Sequence, residues 1–283
     1  VMIGMRRLLP RTLILSGLFS LALGSARASS PSLTFYVPFP EEDALTAIDA
    51  INAAAVSPVT TYISIAAVAD GTVIWYDHWE DGYEKAHHLN TPVQPTTQIW
   101  GDGNPANGFP PGIPNDIIRA GTVIMLGNNV DPADPLAVDY DARDKIVASR
   151  AIAVTRTYWA GVSSTLMAGS VETYDTSKWG ADYRAPVGQN IPDGFSANSG
   201  DHQMFEYTAL SVMAAEDGTT VTVDADNNGV YETTNTLNEG QAFFINGGVY
   251  VGGRVTATKP VQVLMFTGDV GSNYETRDST LLP

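Results

Sequence analysis

One pattern occurs twice in the sequence, and this duplication limits the folds that the chain can adopt. An Asp-Gly-Thr turn at residues 70–72 is followed by an alternating apolar strand that ends at Asp77, and the same arrangement returns at 217–219 with a strand that ends at Asp224. Two further pairs of segments match in the same order, namely 120–128 with 239–247 and 144–154 with 253–263. Matched blocks in one order indicate an internal duplication, each copy being a β unit.

The first copy carries an insertion that the second lacks. The copies lie 147 residues apart at Asp70 and Asp217 but only 119 apart at Gly121 and Gly240. The first copy therefore has about 28 additional residues, which we place in an inserted loop at 85–115. Because the copies diverge there, this loop is the first place to search for function.

From residue 60 onward the sequence has the pattern of short β-strands, rich in Val, Ile, Thr and aromatic residues and separated by Gly, Asp and Asn turns. Strands do not alternate with helices, which argues against a parallel α/β sheet. The regular spacing predicts an all-β fold of two duplicated antiparallel β-sandwich units, Ig-like or jelly-roll-like. One minor helix is predicted near residues 41–55, where Leu45, Ile48 and Ile51 share a face.

The first residues resemble a secretory signal peptide. Arginines precede a short apolar run, and Ala-Arg-Ala at 26–28 forms a cleavage motif before Ser29. The apolar run is short for a membrane span, although a retained anchor is the alternative. We therefore expect removal of residues 1–28, a secreted protein, and no stable membrane span after cleavage.

The remaining chain is predicted to form a first unit at residues 29–181 and a second unit at 182–283. Residues 279–283 resemble 164–168, which predicts that the second unit is C-terminally incomplete. A region beyond it would then associate the protein with the cell surface. A single pseudo-symmetric β body is the alternative to two independent domains.

Charge and cysteine content restrict the partners. The sequence has 15 Lys and Arg against 31 Asp and Glu, and its net charge of −16 becomes −20 without the four arginines of the signal segment. Such acidity argues against binding to nucleic acid or to anionic membranes. There is no cysteine, so an exported fold depends on its core and not on disulfides. Cysteine-free exported β proteins are more typical of bacteria.

The loop after the second copy of the strand predicts a cation site. Asp224, Asp226 and Asn228 occupy alternate positions before a glycine, as in the first half of an EF-hand calcium loop, and Glu232 follows. Asn235 stands where the final acid of an EF-hand belongs, and flanking helices are lacking. A true EF-hand is thus excluded, and the alternatives are a calcium-binding hairpin loop and a turn without metal.

The equivalent loop of the first copy is also acidic. Asp77, Asp81 and Glu84 are candidate cation ligands, whereas Trp79 at the third position cannot ligate. The adjacent histidines at 87 and 88 add a transition-metal site as an alternative, and the competing interpretation is a solvated acidic loop.

All five tryptophans lie in the first copy. Trp79 and Trp100, with Asp102 and Asn104 in the inserted loop, suit carbohydrate stacking supported by polar hydrogen bonds; filling a larger core is the alternative. The sequence has no G-x-S-x-G or H-E-x-x-H motif and no cysteine nucleophile. We therefore expect a protein that is not an enzyme.

Three segments resemble a known family. Residues 252–268, with Lys-Pro-Val at 259–261, are similar to a recurring segment of IgGFc-binding-protein N-terminal-domain-like regions, while 76–84 and 99–108 resemble the N-terminal region of large bacterial cell-surface proteins with repetitive β-sandwich modules. The resemblance implies no catalytic or ligand residues. With the signal segment, it implies an exported structural or adhesive surface module with a protein or glycan ligand. A carbohydrate-binding module or a polysaccharide-acting enzyme is the alternative.

Overall fold

The computed structural model describes residues 32–56, 58–85, 92–162, 165–191, 203–274 and 276–283. These residues form fifteen β-strands and one α-helix, so the predicted all-β fold with antiparallel sheets is confirmed. The signal segment 1–28 and the histidines at 87 and 88 lie outside the described residues.

The first unit is a pair of four-stranded antiparallel sheets, in the orders β1-β6-β3-β4 and β5-β2-β7-β8. Its elements are β1 (Leu33–Tyr36), α1 (Glu41–Asn52), β2 (Val59–Ala67), β3 (Ile74–Asp77), β4 (Gln98–Trp100), β5 (Val123–Val130), β6 (Lys145–Ala148), β7 (Ile152–Ala160) and β8 (Ala168–Thr173).

The second unit repeats this arrangement, except that one long strand runs through both layers. Its elements are β9 (Gly180–Arg184), β10 (Tyr207–Ala214), β11 (Thr219–Asp224), β12 (Thr233–Leu237), β13 (Ala242–Ile245), β14 (Arg254–Gly268) and β15 (Thr276–Thr280). The start of β14 pairs with β9 and β11, and its end pairs with β10 and β15. Strand β14 therefore takes the positions in the second unit that β6 and β7 have in the first.

The strand pairing aligns the two copies residue by residue. Val154 of β7 pairs with Ile65, and its matched residue Val263 of β14 pairs with Val212. In the same register, Thr276 of β15 takes the position in the second unit that Ala168 of β8 has in the first. The sequence match of 279–283 with 164–168 is therefore out of register, and β15 supplies the counterpart of β8.

The repeated Asp-Gly-Thr turns have the same local structure in both units. Gly71 and Gly218 adopt φ of 67° and 68°, a conformation that glycine adopts without steric cost. The Thr72 hydroxyl donates to the Ala69 carbonyl at 2.7 Å, and the Thr219 hydroxyl makes the equivalent bond at 2.7 Å. The turns are thus fixed by local interactions.

The two units share a hydrophobic core. Each sandwich has its own cluster of buried side chains, but a third cluster combines α1 and Phe39 with residues of β7, β10 and β14. The Phe39 ring lies 5.7 Å from Tyr158 of the first unit and 5.5 Å from Phe266 of the second. All eight residues of β10 are buried, because its sheet is covered on both faces.

Helix α1 confirms the predicted minor helix and continues into a 3₁₀ turn at Ala53–Ala55. Its apolar face, with Leu45, Ile48 and Ile51, packs into the shared core. Among the described residues, no helix is long and apolar enough to span a bilayer.

The edge strands β8 and β15 also lie side by side. The Thr280 hydroxyl donates to the Glu172 carbonyl at 2.8 Å, and the Thr276 hydroxyl donates to the Ala168 carbonyl at 3.3 Å. The units therefore meet at a second place besides the shared core.

Candidate functional site

The loop between β11 and β12 brings three of its four predicted calcium ligands together. One carboxylate oxygen from each of Asp224, Asp226 and Glu232 lies within 4.8 Å of the others. Asp224 is buried at the end of β11, whereas Glu232 is exposed. The cluster is thus accessible from one side.

Local hydrogen bonds hold this loop in shape. The Asp224 carboxylate accepts from the Asn228 and Gly229 amides at 3.0 Å each. The Asn228 side chain donates to Asp226 at 2.9 Å and accepts from the Val230 amide at 2.8 Å. The predicted fourth ligand, Asn228, is therefore engaged in the turn itself.

The predicted ligands of the first-unit loop do not converge. Asp77 accepts from the Glu84 amide and the Thr97 hydroxyl, each at 2.8 Å. Asp81 accepts from Thr96, and Glu84 accepts from the backbone amides at 93 and 94. Burial raises the pKa of Asp77 to about 6. Each carboxylate fixes a different part of the loop.

Trp100 belongs to the core and not to a ligand surface. Its side chain is fully buried, its ring stacks on Tyr76 at 4.7 Å, and its indole N–H donates to Gln98 at 2.9 Å. The expectation that Trp100 stacks on a carbohydrate is wrong, because no face of the ring is accessible. The sequence did not indicate this burial, because strand β4 has only three residues and its alternation of polar and apolar residues is too short to identify the buried side.

Asp102 and Asn104 have structural partners in the inserted loop. Asp102 accepts from the Asn104 amide at 2.8 Å and from the Asn107 side chain at 2.9 Å. The Asn104 side chain caps the 3₁₀ turn Pro105–Asn107. Buried Asp116 accepts from the amides of 101, 103 and 104 and gathers the loop around its carboxylate.

Trp79 lies at a cavity between the two units. The half-buried indole N–H donates to both oxygens of Asp141 at 3.0 and 3.1 Å, and Arg143 lies 4.9 Å above the ring. The cavity has a volume of about 510 Å³ and is otherwise lined by Tyr83 and residues 235–242 of the second unit. Trp79 therefore helps to form the contact between the units.

Glu239 of the second unit anchors this contact. It accepts from the Tyr36 hydroxyl at 2.6 Å and from the Lys145 ammonium at 2.8 Å. Burial, with the Glu239 bond, raises the pKa of Tyr36 well above its ordinary value. Tyr83 donates to the Arg143 carbonyl within the first unit at 2.9 Å, and this bond holds its hydroxyl against Gly240 of the second unit.

A group that the sequence reasoning missed surrounds Asp144, just before β6. The Asp144 carboxylate is fully buried, accepts from the Tyr76 hydroxyl at 2.6 Å, and lies 3.5 Å from His78 Nδ1. Burial, followed by the nearby charge of Asp141, raises the pKa of Asp144, and burial lowers the pKa of His78. A difference between the copies could have pointed to this group, because the second copy has Gly253 where the first has Asp144.

The outer surface of sheet β5-β2-β7-β8 is an exposed apolar and aromatic face. Val123 and Met125 are 58% and 60% exposed, Trp159 is 48% exposed, and the Tyr62 ring lies across Gly127 between them. Their neighbours on the same face are Thr60, Ser64, Thr155 and Thr157. We call Tyr62, Val123, Met125 and Trp159 the open sheet face.

The counterpart of the open sheet face in the second unit is covered. By the registers of β7 and β14, Thr155 and Thr157 correspond to Leu264 and Phe266, which are buried in the shared core. Ser211 of that covered face also donates to Asp43 of α1 at 3.2 Å. The same surface is therefore packed in one unit and accessible in the other.

The chain is thus a β-sandwich protein with one accessible, largely apolar sheet face. Residues 169–280 match a family model described as IgGFc binding protein. This stretch, which includes most of the second unit, is an IgGFc-binding-like region. The predicted resemblance is confirmed there, and domains of this family are typically extracellular binding modules rather than enzymes.

Comparisons with curated proteins and with solved structures gave no match.

Proposed function

We propose that the protein is an exported, non-catalytic adhesive module that binds a protein partner through the open sheet face. The observation that carries this proposal is the contrast between the two units. A face with one architecture is buried by α1 and Phe39 in the second unit, whereas Met125 and Trp159 are exposed in the first. In the second unit, the apolar side chains of helix α1 therefore cover the surface that is equivalent to the open sheet face.

The chemistry of the face favours a protein over a glycan as the ligand. Two of its exposed side chains are aliphatic, and only Glu172 at the edge carries a charge among the outward residues of the four strands. Protein interfaces are enriched in aromatic residues and Met and depleted of charge at their centre. Of the two tryptophans assigned to carbohydrate stacking, Trp100 is fully buried.

The test is solid-phase binding of the purified protein to a panel of immobilised extracellular proteins, including the Fc fragment of immunoglobulin G, in parallel with a glycan array. Met125→Asp places a charge on the open sheet face, and we expect it to weaken binding at least about tenfold, as for an interface hot spot. Val68→Asp is the matched control because Val68 is 64% exposed outside the face.

Unchanged binding by the Met125→Asp variant refutes the assignment of the face. Binding to glycans alone supports the carbohydrate alternative. Binding to no member of either panel counts against an adhesive role.

We also propose that the 224–232 loop binds calcium and stiffens the module. The carboxylates of Asp224, Asp226 and Glu232 supply hard oxygen ligands, and backbone carbonyls or water would complete the six to eight oxygens that calcium prefers. Calcium that binds only the folded state must raise the melting temperature by mass action.

Thermal unfolding with calcium and with chelator tests this site. We expect a rise in melting temperature that Asp226→Ala abolishes and that Asp134→Ala, a change at an exposed acid elsewhere, retains. The absence of a rise at millimolar calcium would refute the site.

Secretion and surface association are part of the same proposal. The segment 1–28 and the acidic composition support export, and the lack of cysteine suits a bacterial setting. N-terminal sequencing of the exported protein is expected to begin at Ser29, and a retained Met5 would contradict cleavage.

A further inference from the structure

His78, Glu80 and Asp144 form a group of potential metal ligands outside the calcium loop. One ligand atom from each residue lies within 4.8 Å of the others. His78 and Glu80 follow β3, and Asp144 precedes β6, so β3–β6 pairing brings them together. The group is therefore fixed by the sheet and not by one flexible loop.

One atom of this group lacks a partner. Asp144 Oδ2 accepts from the Tyr76 hydroxyl and from the Asp141 amide at 3.2 Å, but Asp144 Oδ1 is buried and makes no hydrogen bond. A buried carboxylate oxygen is costly to leave unsatisfied. A cation bound by both carboxylate oxygens of Asp144, beside Glu80 and His78, would supply the missing partner.

The His78 imidazole is held in one orientation. The Tyr76 and Tyr140 rings lie 5.0 and 5.6 Å from it, and the Asp139 backbone makes a hydrogen bond with it. Metal-binding histidines commonly have such a backbone partner, which orients the ring toward the metal.

A cavity of about 390 Å³, lined by His78, Glu80, Gln98, Asp139 and Tyr140, exposes the His78 and Glu80 side of the group to solvent, while Asp144 lies buried behind them. This opening gives an entry path for an ion. It also leaves room for a water molecule at a coordination position that the protein does not fill.

We propose that His78, Glu80 and Asp144 bind a divalent transition-metal ion of the zinc class. One imidazole and two carboxylates suit zinc better than calcium, which prefers oxygen ligands alone. Tetrahedral zinc with ligands at about 2.1 Å places neighbouring ligand atoms about 3.4 Å apart. His78 Nδ1 and Asp144 Oδ2 lie 3.5 Å apart, and the exposed Glu80 can close the remaining distance by a side-chain rotation.

The test is isothermal titration of the purified protein with Zn²⁺, followed by Co²⁺ substitution to read the coordination geometry from its visible spectrum. All proteins carry Asp226→Ala, which removes the calcium loop from the measurement. We expect one zinc ion per chain, and at least about tenfold weaker binding for Glu80→Gln and for His78→Gln, since even outer-shell partners have effects of that size. Asp134→Asn, which removes an exposed carboxylate that does not line this cavity, keeps the affinity.

Two outcomes overturn the proposal: no saturable zinc binding, or equal affinity in the Glu80→Gln variant. The second outcome would assign the zinc to another site, such as the histidines at 87 and 88. Glu80 is exposed, so its substitution does not depend on tolerance of the core and remains informative if the His78 variant fails to fold.

Discussion

The ion pair beneath helix α1 gives a sharp prediction about stability. Glu41 and Arg156 are only 1% and 2% exposed, and a guanidinium nitrogen of Arg156 donates to Glu41 Oε1. The same oxygen accepts from the Thr61 hydroxyl at 3.2 Å, and Glu41 Oε2 accepts from the Ala142 amide at 3.1 Å. One carboxylate thus joins α1 to three other segments.

Glu41→Ala leaves the Arg156 charge buried without its counter-ion, and breaking such a pair costs about 3–5 kcal/mol of unfolding free energy. For a chain of this size, that loss lowers the melting temperature by roughly 6–20 °C. Replacing both partners by apolar residues is often neutral. The second unit indicates which residue fits, because Met265 stands at the counterpart of Arg156. We expect Glu41→Leu with Arg156→Met to cost less than Glu41→Ala alone, with a remaining loss of about 1–3 kcal/mol because the buried Ala142 amide loses its acceptor.

Urea unfolding followed by tryptophan fluorescence measures these differences. Glu42→Ala is the matched control, because Glu42 lies in the same helical turn but its ion pair with Arg143 is partly exposed; an exposed pair contributes about 1 kcal/mol or less. A loss of unfolding free energy in Glu41→Ala no greater than that in Glu42→Ala would contradict this prediction. So would a double variant whose loss equals the sum of the losses in the Glu41→Leu and Arg156→Met single variants.

Three further predictions concern packing and pH. Burial raises the pKa of Asp278 from 3.8 to about 7, so the folded state binds this proton more tightly and stability falls as pH rises from 4 to 7; Asp278→Asn should flatten that decline in chemical unfolding. Gly240→Ala should lower the melting temperature, because its φ is 73° and its Cβ would lie 1.6 Å from the Tyr83 hydroxyl; an unaltered melting curve would contradict the contact. Trp100→Ala should cost about 3–5 kcal/mol in urea unfolding, whereas Trp159→Ala should cost less than about 1, and equal losses would refute the assignment of core and surface.

The sequence predicted those parts of the fold that local interactions determine. The Asp-Gly-Thr turns were recognisable because Gly71 and Gly218 fix the turn within a few residues. The alternation in β2, where every second residue is buried, follows from the two-residue period of a strand. These local signals were sufficient to predict the sandwich class, the helix and the duplication.

The contacts between the units were not predictable from either copy alone. Phe39 lies in a bend between two prolines, with a φ of 63°, and nothing local indicates that its ring meets Phe266. Asp144 likewise appears as an ordinary acid before a strand, although folding places it against Tyr76. Both contacts depend on chain segments far apart in the sequence, and the position of Trp100 depends on the same long-range packing.

The domain limits at 29–181 and 182–283 stay a prediction, and so does the metal content of both loops. The 224–232 loop brings its acids together because its turn is local. The first-unit acids do not converge, because each is already satisfied by the backbone or hydroxyl groups that it folds around.

The shared core has a mechanical consequence. If tension is applied between β1 and β15, the shared core, the β8–β15 contact and the Glu239 contact all resist separation of the two sandwiches. Neighbouring sandwiches joined by a linker would yield one after the other. Here the units are expected to resist as one element, so that a single-molecule extension trace shows one long step, and the open sheet face keeps a fixed direction under load.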